Sequence, residues 1–525
     1  MALLPDTATD AASAPPERQA PPASQTPPST ERFRGALRAV WLWPAVATLA
    51  CALYGIGTPL LWSDELNSWD VSSRDIGQLL DTVRQVDAVL GGYYLFLHGW
   101  MAVFGDSAVM LRLPSALAMA GAAACTALCG KRLFGRRRAG VAAGLLFALI
   151  PAVSRYAHEV RPYALVVCAV SLATLLLLRA LDRPGSRWRW AAYGLCVAVV
   201  GLLNLLALTA LVGHAAVVVL RTKAERRRLW GFGLAAAAGV AAVAPVVLLG
   251  RAQSRQIAWI PEPDALSLVS VWPELFGSSL LVGAVLALAA SAWGRSRGPV
   301  LVCVALGLLP ALVLWAVSHG DVSYFFNRYL LITVPAWAML AGAGIAARSR
   351  AVAASVLVVL TLLTLPEHRD LRMPFTHTGG LDYAGAARII ERFRAPGDAI
   401  VLDRERPWGD VLDVALRFYL PDHVRMRDVF LAESAAERNH LRANECPDPA
   451  ACVGSEPRVW LVVAGDQPNP LMGLPLAQRQ ALRAKYMPTR AEHVQGLTVA
   501  LLERMPDALS RTGGPPPSLH HPGGN

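Results

Sequence analysis

The sequence predicts a polytopic α-helical membrane protein of about eleven transmembrane helices, followed by a small C-terminal α/β domain. Three observations carry that reading. Of the 525 residues, 54% are hydrophobic and only 17% are charged, against about 25% charged in ordinary soluble domains. The apolar residues are gathered into runs, at about 40–61, 107–130, 139–154, 162–181, 191–204, 205–220, 231–249, 271–293, 299–317, 329–347 and 351–366. A bilayer is crossed by roughly 20 such residues in a helix. Finally, Arg and Lys cluster between the runs, as orientation signals do. The net charge of +11 is therefore no mark of nucleic-acid binding, and the expected partner is the lipid bilayer.

Taken in order, residues 1–35 are mostly Pro, Ala, Ser and Thr. That composition cannot build a core, so a disordered cytoplasmic tail is expected. The first apolar run begins too late for a cleaved signal peptide and reads as a retained helix. The membrane domain, 36–368, contains one long polar loop at 62–106. The clusters at 32–38, 131–138, 179–189, 221–228, 295–297 and 348–350 put 21 basic residues on one side, against eight in the opposite loops. By the positive-inside rule the N-terminus is cytoplasmic, and an odd number of spans then places the 62–106 loop and everything after residue 366 outside.

The outer region, 369–505, reads as α/β. Helical spacing covers 381–394, Pro396-Gly397-Asp398 breaks it, and strands are expected at 399–402, 459–463 and 497–502. The Pro/Gly/His tail, 506–525, should be disordered. Six of the eight cysteines lie in apolar runs, as small buried hydrophobes do. Cys446 and Cys452 lie in the polar outer region, where an extracytoplasmic setting would favour a disulfide closing their short loop.

The chemistry-bearing residues gather in three loops of one side. The first opens on Asp64-Glu65, directly after the first apolar run, and continues through Asp87 to the aromatic stretch holding Tyr93, Tyr94 and His98. The second holds Arg155, Tyr156, His158, Glu159, Arg161 and Tyr163, and the third Tyr324 and Arg328. Ionisable groups at a membrane boundary are costly unless paired or at work. Carboxylates, arginines and tyrosines on one face suit transfer of a sugar from a polyprenyl phosphate. A carboxylate takes the acceptor hydroxyl's proton, and arginines offset the charge growing on the departing phosphate. In this reading Asp64 is the base, Glu65 orients sugar or acceptor, and Arg161, Arg328 and Arg255 clamp phosphate. Asp87, Tyr93, Tyr94, His158, Glu159, Tyr163 and Tyr324 are the remaining substrate-binding candidates.

The same residues carry a family resemblance. Asp64-Glu65, the Asp87…Tyr93-Tyr94 segment, Arg112-Leu113-Pro114-Ser115, the Arg155…Tyr163 segment and Arg328-Tyr329-Leu330-Leu331 resemble the multi-pass GT-C glycosyltransferases. The likeness covers roughly 40–345 and points to the protein-mannosyltransferase/ArnT-like branch, family 39-like, of actinobacterial type. It implies a GT-C-like fold, a polyprenyl-phosphate sugar donor, an exoplasmic site and a catalytic Asp at Asp64. The acceptor would be a glycan or protein of the cell envelope.

Plainer readings stand beside these. Asp64-Glu65 could cap a helix N-terminus, which carboxylates favour. His98 and His158 fit hydrogen-bonded interface residues better than metal ligands. Metal use is open, since Asp64, Glu65, His158 and Glu159 could assemble a divalent-cation site. A transporter or lipid flippase would place polar groups near the bilayer midplane in repeated halves, and no repeat is seen here. A non-catalytic envelope assembly protein would tolerate loss of Asp64, Glu159 and Arg328 together.

Overall fold

A computed structural model describes residues 39–222, 225–294, 296–404, 411–421 and 423–506. The expected tails at 1–35 and 506–525 lie outside this set, apart from residue 506. Among the described residues, six helices are long and apolar enough to cross a membrane, and up to nine if each of three bent pairs is one span.

The chain enters through α1 (Leu42–Leu53), much shorter than the run 40–61 predicts. The reason is visible at its end. Gly55 adopts a left-handed conformation, φ +71°, and the last carbonyls are taken by side chains. Arg372 donates to Cys51 O at 2.6 Å and to Tyr54 O at 2.9 Å, and His158 Nε2 contacts Ala52 O at 2.6 Å. The Arg372 cation at this helix end suits its dipole.

Three helices of the polar loop follow: α2 (Ser63–Ser73), α3 (Ile76–Gln85) and α4 (Gly91–Phe104). The bundle then comprises α5 (Ala108–Phe134), α6 (Arg137–Leu149), α7 (Pro151–Ala157), α8 (Tyr163–Asp182), α9 (Arg187–Leu203) and α10 (Ala210–Thr222). It continues with α11 (Arg226–Ala242), α12 (Ala244–Ala252), α13 (Ser267–Phe276), α14 (Ser279–Trp293), α15 (Arg297–Val317), α16 (Val334–Ala346) and α17 (Arg350–Asp370). Three single runs of the sequence are bent pairs, α6–α7 by 65°, α11–α12 by 53° and α13–α14 by 99°. Pro151 at the start of α7 and Gly277 between α13 and α14, φ +81°, mark two of the breaks. Of the eleven predicted spans, α1 and α9, with 12 and 17 residues, fall short of a full crossing.

The bundle is centred on α16, whose every residue is buried. Small residues permit this. A side chain on Gly342 would bring its Cβ within 2.5 Å of Ala143 N on α6, and one on Gly344 would strike Leu288 O on α14. Close backbone approach through small residues is how helices pack in lipid, where burial of apolar area brings little gain.

After α17 the chain builds the C-terminal α/β region: α18 (Tyr383–Phe393), β1 (Ala399–Leu402), α19 (Leu412–Tyr419), β2 (Arg427–Asp428), β3 (Leu431–Glu433) and β4 (Asn444–Glu445). Then come α20 (Pro449–Cys452), β5 (Arg458–Ala464), α21 (Leu476–Arg483), β6 (Tyr486–Val494) and β7 (Leu497–Arg504). The main sheet runs β2-β1-β5-β7-β6, parallel at β2/β1/β5 and antiparallel at β5/β7/β6. The expected strands are β1, β5 and β7. β6 reads poorly in sequence because it is an edge strand carrying Arg490, Glu492 and His493 and a bulge near Pro488. Cys446 and Cys452 form a disulfide.

Alternation decides what each sheet face touches. Val401, Val459, Leu461, Val463 and Leu502 pack under Leu482 of α21. Ile400, Leu402, Trp460, Val462 and Leu501 face the other way and share one core with α18, α19 and α2–α4, including Leu66, Trp69 and Tyr94. The sheet thus presses, through two helices, on the loop that carries Asp64.

Candidate active site

The site forms where four chain segments meet at the N-terminus of α2. Arg112 on α5 gathers them. Its Nη1 donates to Ile56 O at 2.9 Å and Pro59 O at 2.7 Å, while Nε and Nη2 grip the Glu65 carboxylate at 2.8 and 2.7 Å. Glu65 also accepts from Val160 N–H at 2.9 Å and Trp62 N–H at 3.4 Å. Both side chains of this pair are fully buried. Glu65 is therefore saturated, and it holds the 158–162 loop against α2 instead of facing a substrate as the sequence reading expects. The helix-cap reading describes Glu65 well.

Asp64 is the other case. Its side chain is 25% exposed, and its Oδ2 meets Arg328 Nη1 at 3.1 Å and Arg161 Nη2 at 3.7 Å. Arg161 comes from the loop before α8 and also donates to Ser68 Oγ at 3.3 Å. Arg328 comes from the 3₁₀ turn Asn327–Thr333 that opens α16. Its guanidinium is packed among the rings of Tyr163, Trp259, Phe326 and Tyr329, 5.0–5.7 Å from their centroids. Such stacking suits Arg and not Lys. Residues 64, 161 and 328, distant in sequence, are thus brought together as expected, leaving two cations to one carboxylate.

Polar atoms around this cluster lack partners. Trp62 Nε1, Asn67 Oδ1, Arg155 Nη1, Glu159 Oε2, Arg161 Nε and Arg328 Nε are buried and make no hydrogen bond among the described residues. Buried polar groups are nearly always bonded, so these six atoms leave hydrogen-bonding capacity unused beside Asp64. Burial raises the Glu159 carboxyl above its ordinary value; Arg155 opposes that and the Glu65 and Asp64 charges add to it.

The remaining candidates fall into two groups. Tyr163 is at the site, its ring beside Arg328, Tyr156 and Tyr329. Asp87, left-handed at φ 58°, accepts from Tyr94 OH at 2.8 Å and pairs with the Gln256 amide at 2.8 and 3.2 Å. Tyr93 and Tyr94 are buried core residues. His158 is bound to α1, and burial pulls its ring down to about 4, so it is neutral. His98 is bound to Ser72 O at 2.9 Å. Arg255 is exposed and makes no contact with the Asp64 cluster among the described residues, and Tyr324 holds Ser318 Oγ through its backbone N–H at 2.9 Å. Neither joins the Asp64–Arg161–Arg328 cluster. Asp64, Glu65, His158 and Glu159 do not assemble a cation site: among the described residues no three such side chains are grouped, and Glu65 and His158 are already occupied.

Sequence reasoning missed Trp259, passing over it for Arg255 in the same loop, and the anchoring role of Arg112, which it counted as an orientation charge. Only the order of motifs in the family resemblance drew attention to Arg112.

ArnT from Cupriavidus metallidurans matches over 90% of this chain and 98% of its own, with TM-score 0.61 and 15% identity. The same protein bound to undecaprenyl phosphate matches over 88% and 97%, with TM-score 0.61 and 14% identity. This is the GT-C fold. Within it, residues 92–249 match the family described as Dolichyl-phosphate-mannose-protein mannosyltransferase. No curated protein matches the sequence.

Proposed function

We propose that the chain is an inverting glycosyltransferase that moves a sugar from a polyprenyl phosphate to a glycan or protein acceptor of the cell envelope. The sugar is a hexose or pentose, mannose being the first choice, and the reaction takes place at the outer face of the cytoplasmic membrane. The observation that carries this reading is the contrast between two adjacent acids. Glu65 is sealed and saturated by Arg112, whereas Asp64 is open and flanked by two arginines. The likeness in fold to an ArnT solved with undecaprenyl phosphate supports a polyprenyl-phosphate carrier.

In the reaction the acceptor oxygen bonds to the anomeric carbon from the face opposite the leaving group. Its proton passes to the Asp64 carboxylate. The bond from the anomeric carbon to the phosphate oxygen breaks, and its electron pair leaves with the polyprenyl phosphate. Arg161 and Arg328 offset that charge through charge-assisted hydrogen bonds. The excess of one positive charge over Asp64 favours the anionic donor from the start.

Asp64→Asn tests the assignment. We expect transfer from labelled lipid-linked sugars to fall by roughly 10²–10⁴-fold, with the purified protein still monodisperse. Transfer at the wild-type rate would remove Asp64 as the base.

A further inference from the structure

We infer that α19 of the C-terminal region sets the position of Asp64, with Tyr419 and Arg417 as positioning residues; this rests on the glycosyltransferase reading above. The helix carrying Asp64 is short, 11 residues, and α19 holds it at both ends. Ahead of it, Leu61 N–H donates to the Tyr419 hydroxyl at 2.8 Å. Near its far end, Asp70 is buried and shared between Arg74, at 2.6 Å, and Arg417 of α19. Between these points Trp69 meets the edge of Phe418, with ring centroids 5.0 Å apart, and the Arg417 guanidinium lies 5.0 Å from the Trp69 ring. Arg74 adds a bond to His440 O at 2.8 Å.

The same helix is tied to the bundle by the Glu65–Arg112 pair. The helix is thus clamped between the membrane domain and the sheet region. Asp64 sits one turn inside the clamped end, and its arginines come from the bundle alone. A shift of α2 relative to the bundle therefore changes the carboxylate's distance from Arg161 and Arg328 while leaving the arginines in place. A displacement of about 1 Å at a reacting group costs on the order of 10²-fold in rate. Contacts that only attached the sheet region would have no need to grip the residue three positions before the base.

Tyr419→Phe and Arg417→Ala in the full chain, purified in nanodiscs, test this. The donor is tritium-labelled lipid-linked sugar extracted from the native membrane, and the acceptor is the cell-envelope fraction. We expect kcat to fall roughly 10-fold in each variant, donor KM to stay within about twofold, and Arg417→Lys to recover most of the rate. In an Asp64→Asn background neither change should lower the residual rate further. An unchanged kcat in both variants, or a loss that only tracks the amount of folded protein, would overturn the inference. Inactive Asp64→Asn beside fully active Tyr419→Phe and Arg417→Ala would sink the positioning role alone. Active Asp64→Asn would instead sink the base on which it rests.

Discussion

At the scale of single residues, the site separates groups that hold from groups that are held ready. Arg328 touches four rings and Asp64 through one planar guanidinium. A lysine keeps the charge but cannot stack or fork, so Arg328→Lys should lower transfer about 10–100-fold with little change in melting temperature. Glu65→Gln acts differently, because it leaves Arg112 buried without its counter-ion. Breaking such a pair costs about 3–5 kcal/mol, and we expect loss of folded protein, measured as the monodisperse fraction after purification. Glu159 predicts the reverse sign. Its carboxyl is raised by burial, so the charged form opposes folding. That penalty is absent below the ordinary glutamate value of 4.5 and grows as pH rises through the raised one. Glu159→Gln should therefore raise thermal stability at pH 7.5 and leave it unchanged at pH 4. Equal melting temperatures at both pH values would contradict this. The pairing of Asp64 with arginines about one hundred and 264 positions away could be anticipated only from loop sidedness. Glu65 was legible as acidic and not as sealed, because burial depends on Arg112 arriving from another helix.

At the scale of elements, length and apolarity made most helices legible, but their breaks were not. Hydropathy does not register a 99° bend at Gly277 or a left-handed residue at Gly55, since both leave the apolar run intact. Helices α6, α14 and α16 show what the breaks make room for, a centre packed backbone to backbone. Gly344→Val should clash with Leu288 on α14 and sharply reduce inserted, folded protein, measured by fluorescence-detected size exclusion. Among the strands, β1, β5 and β7 were readable because both faces are apolar, and β6 was not because its outer positions are charged. The sheet also carries its own acid dependence. Burial alone would raise the Asp398 carboxyl. Bonds from Arg458, at 2.8 and 2.7 Å, and from Trp460 Nε1, at 2.9 Å, outweigh it and hold it below its usual range. A depressed carboxylate stabilises the fold above the ordinary value of 3.8 and loses that contribution as pH falls through the lowered one. Asp398→Asn should cost about 1–3 kcal/mol at pH 7, and the difference from wild type should shrink in acid, as denaturant titration would read.

At the scale of the whole molecule, the described chain from Val40 onward is one compact unit, although composition divides it into apolar and polar parts. The division is real for the solvent each part meets and misleading for the core they share. Trp460 and Val462 on the sheet belong to the same cluster as Leu66 and Tyr94 beside the site. No local pattern could reveal that, because each residue looks like ordinary core in its own element.

Arg112 has a consequence for the order in which the molecule is made. The stretch from Ile56 to Glu65 emerges from the ribosome first, yet its carbonyls and carboxylate close only on a guanidinium supplied by α5. Until that later helix is in the bilayer, the segment leading into Asp64 lacks the guanidinium that gathers it. The cluster around Asp64 is completed later still, when Arg328 arrives ahead of α16.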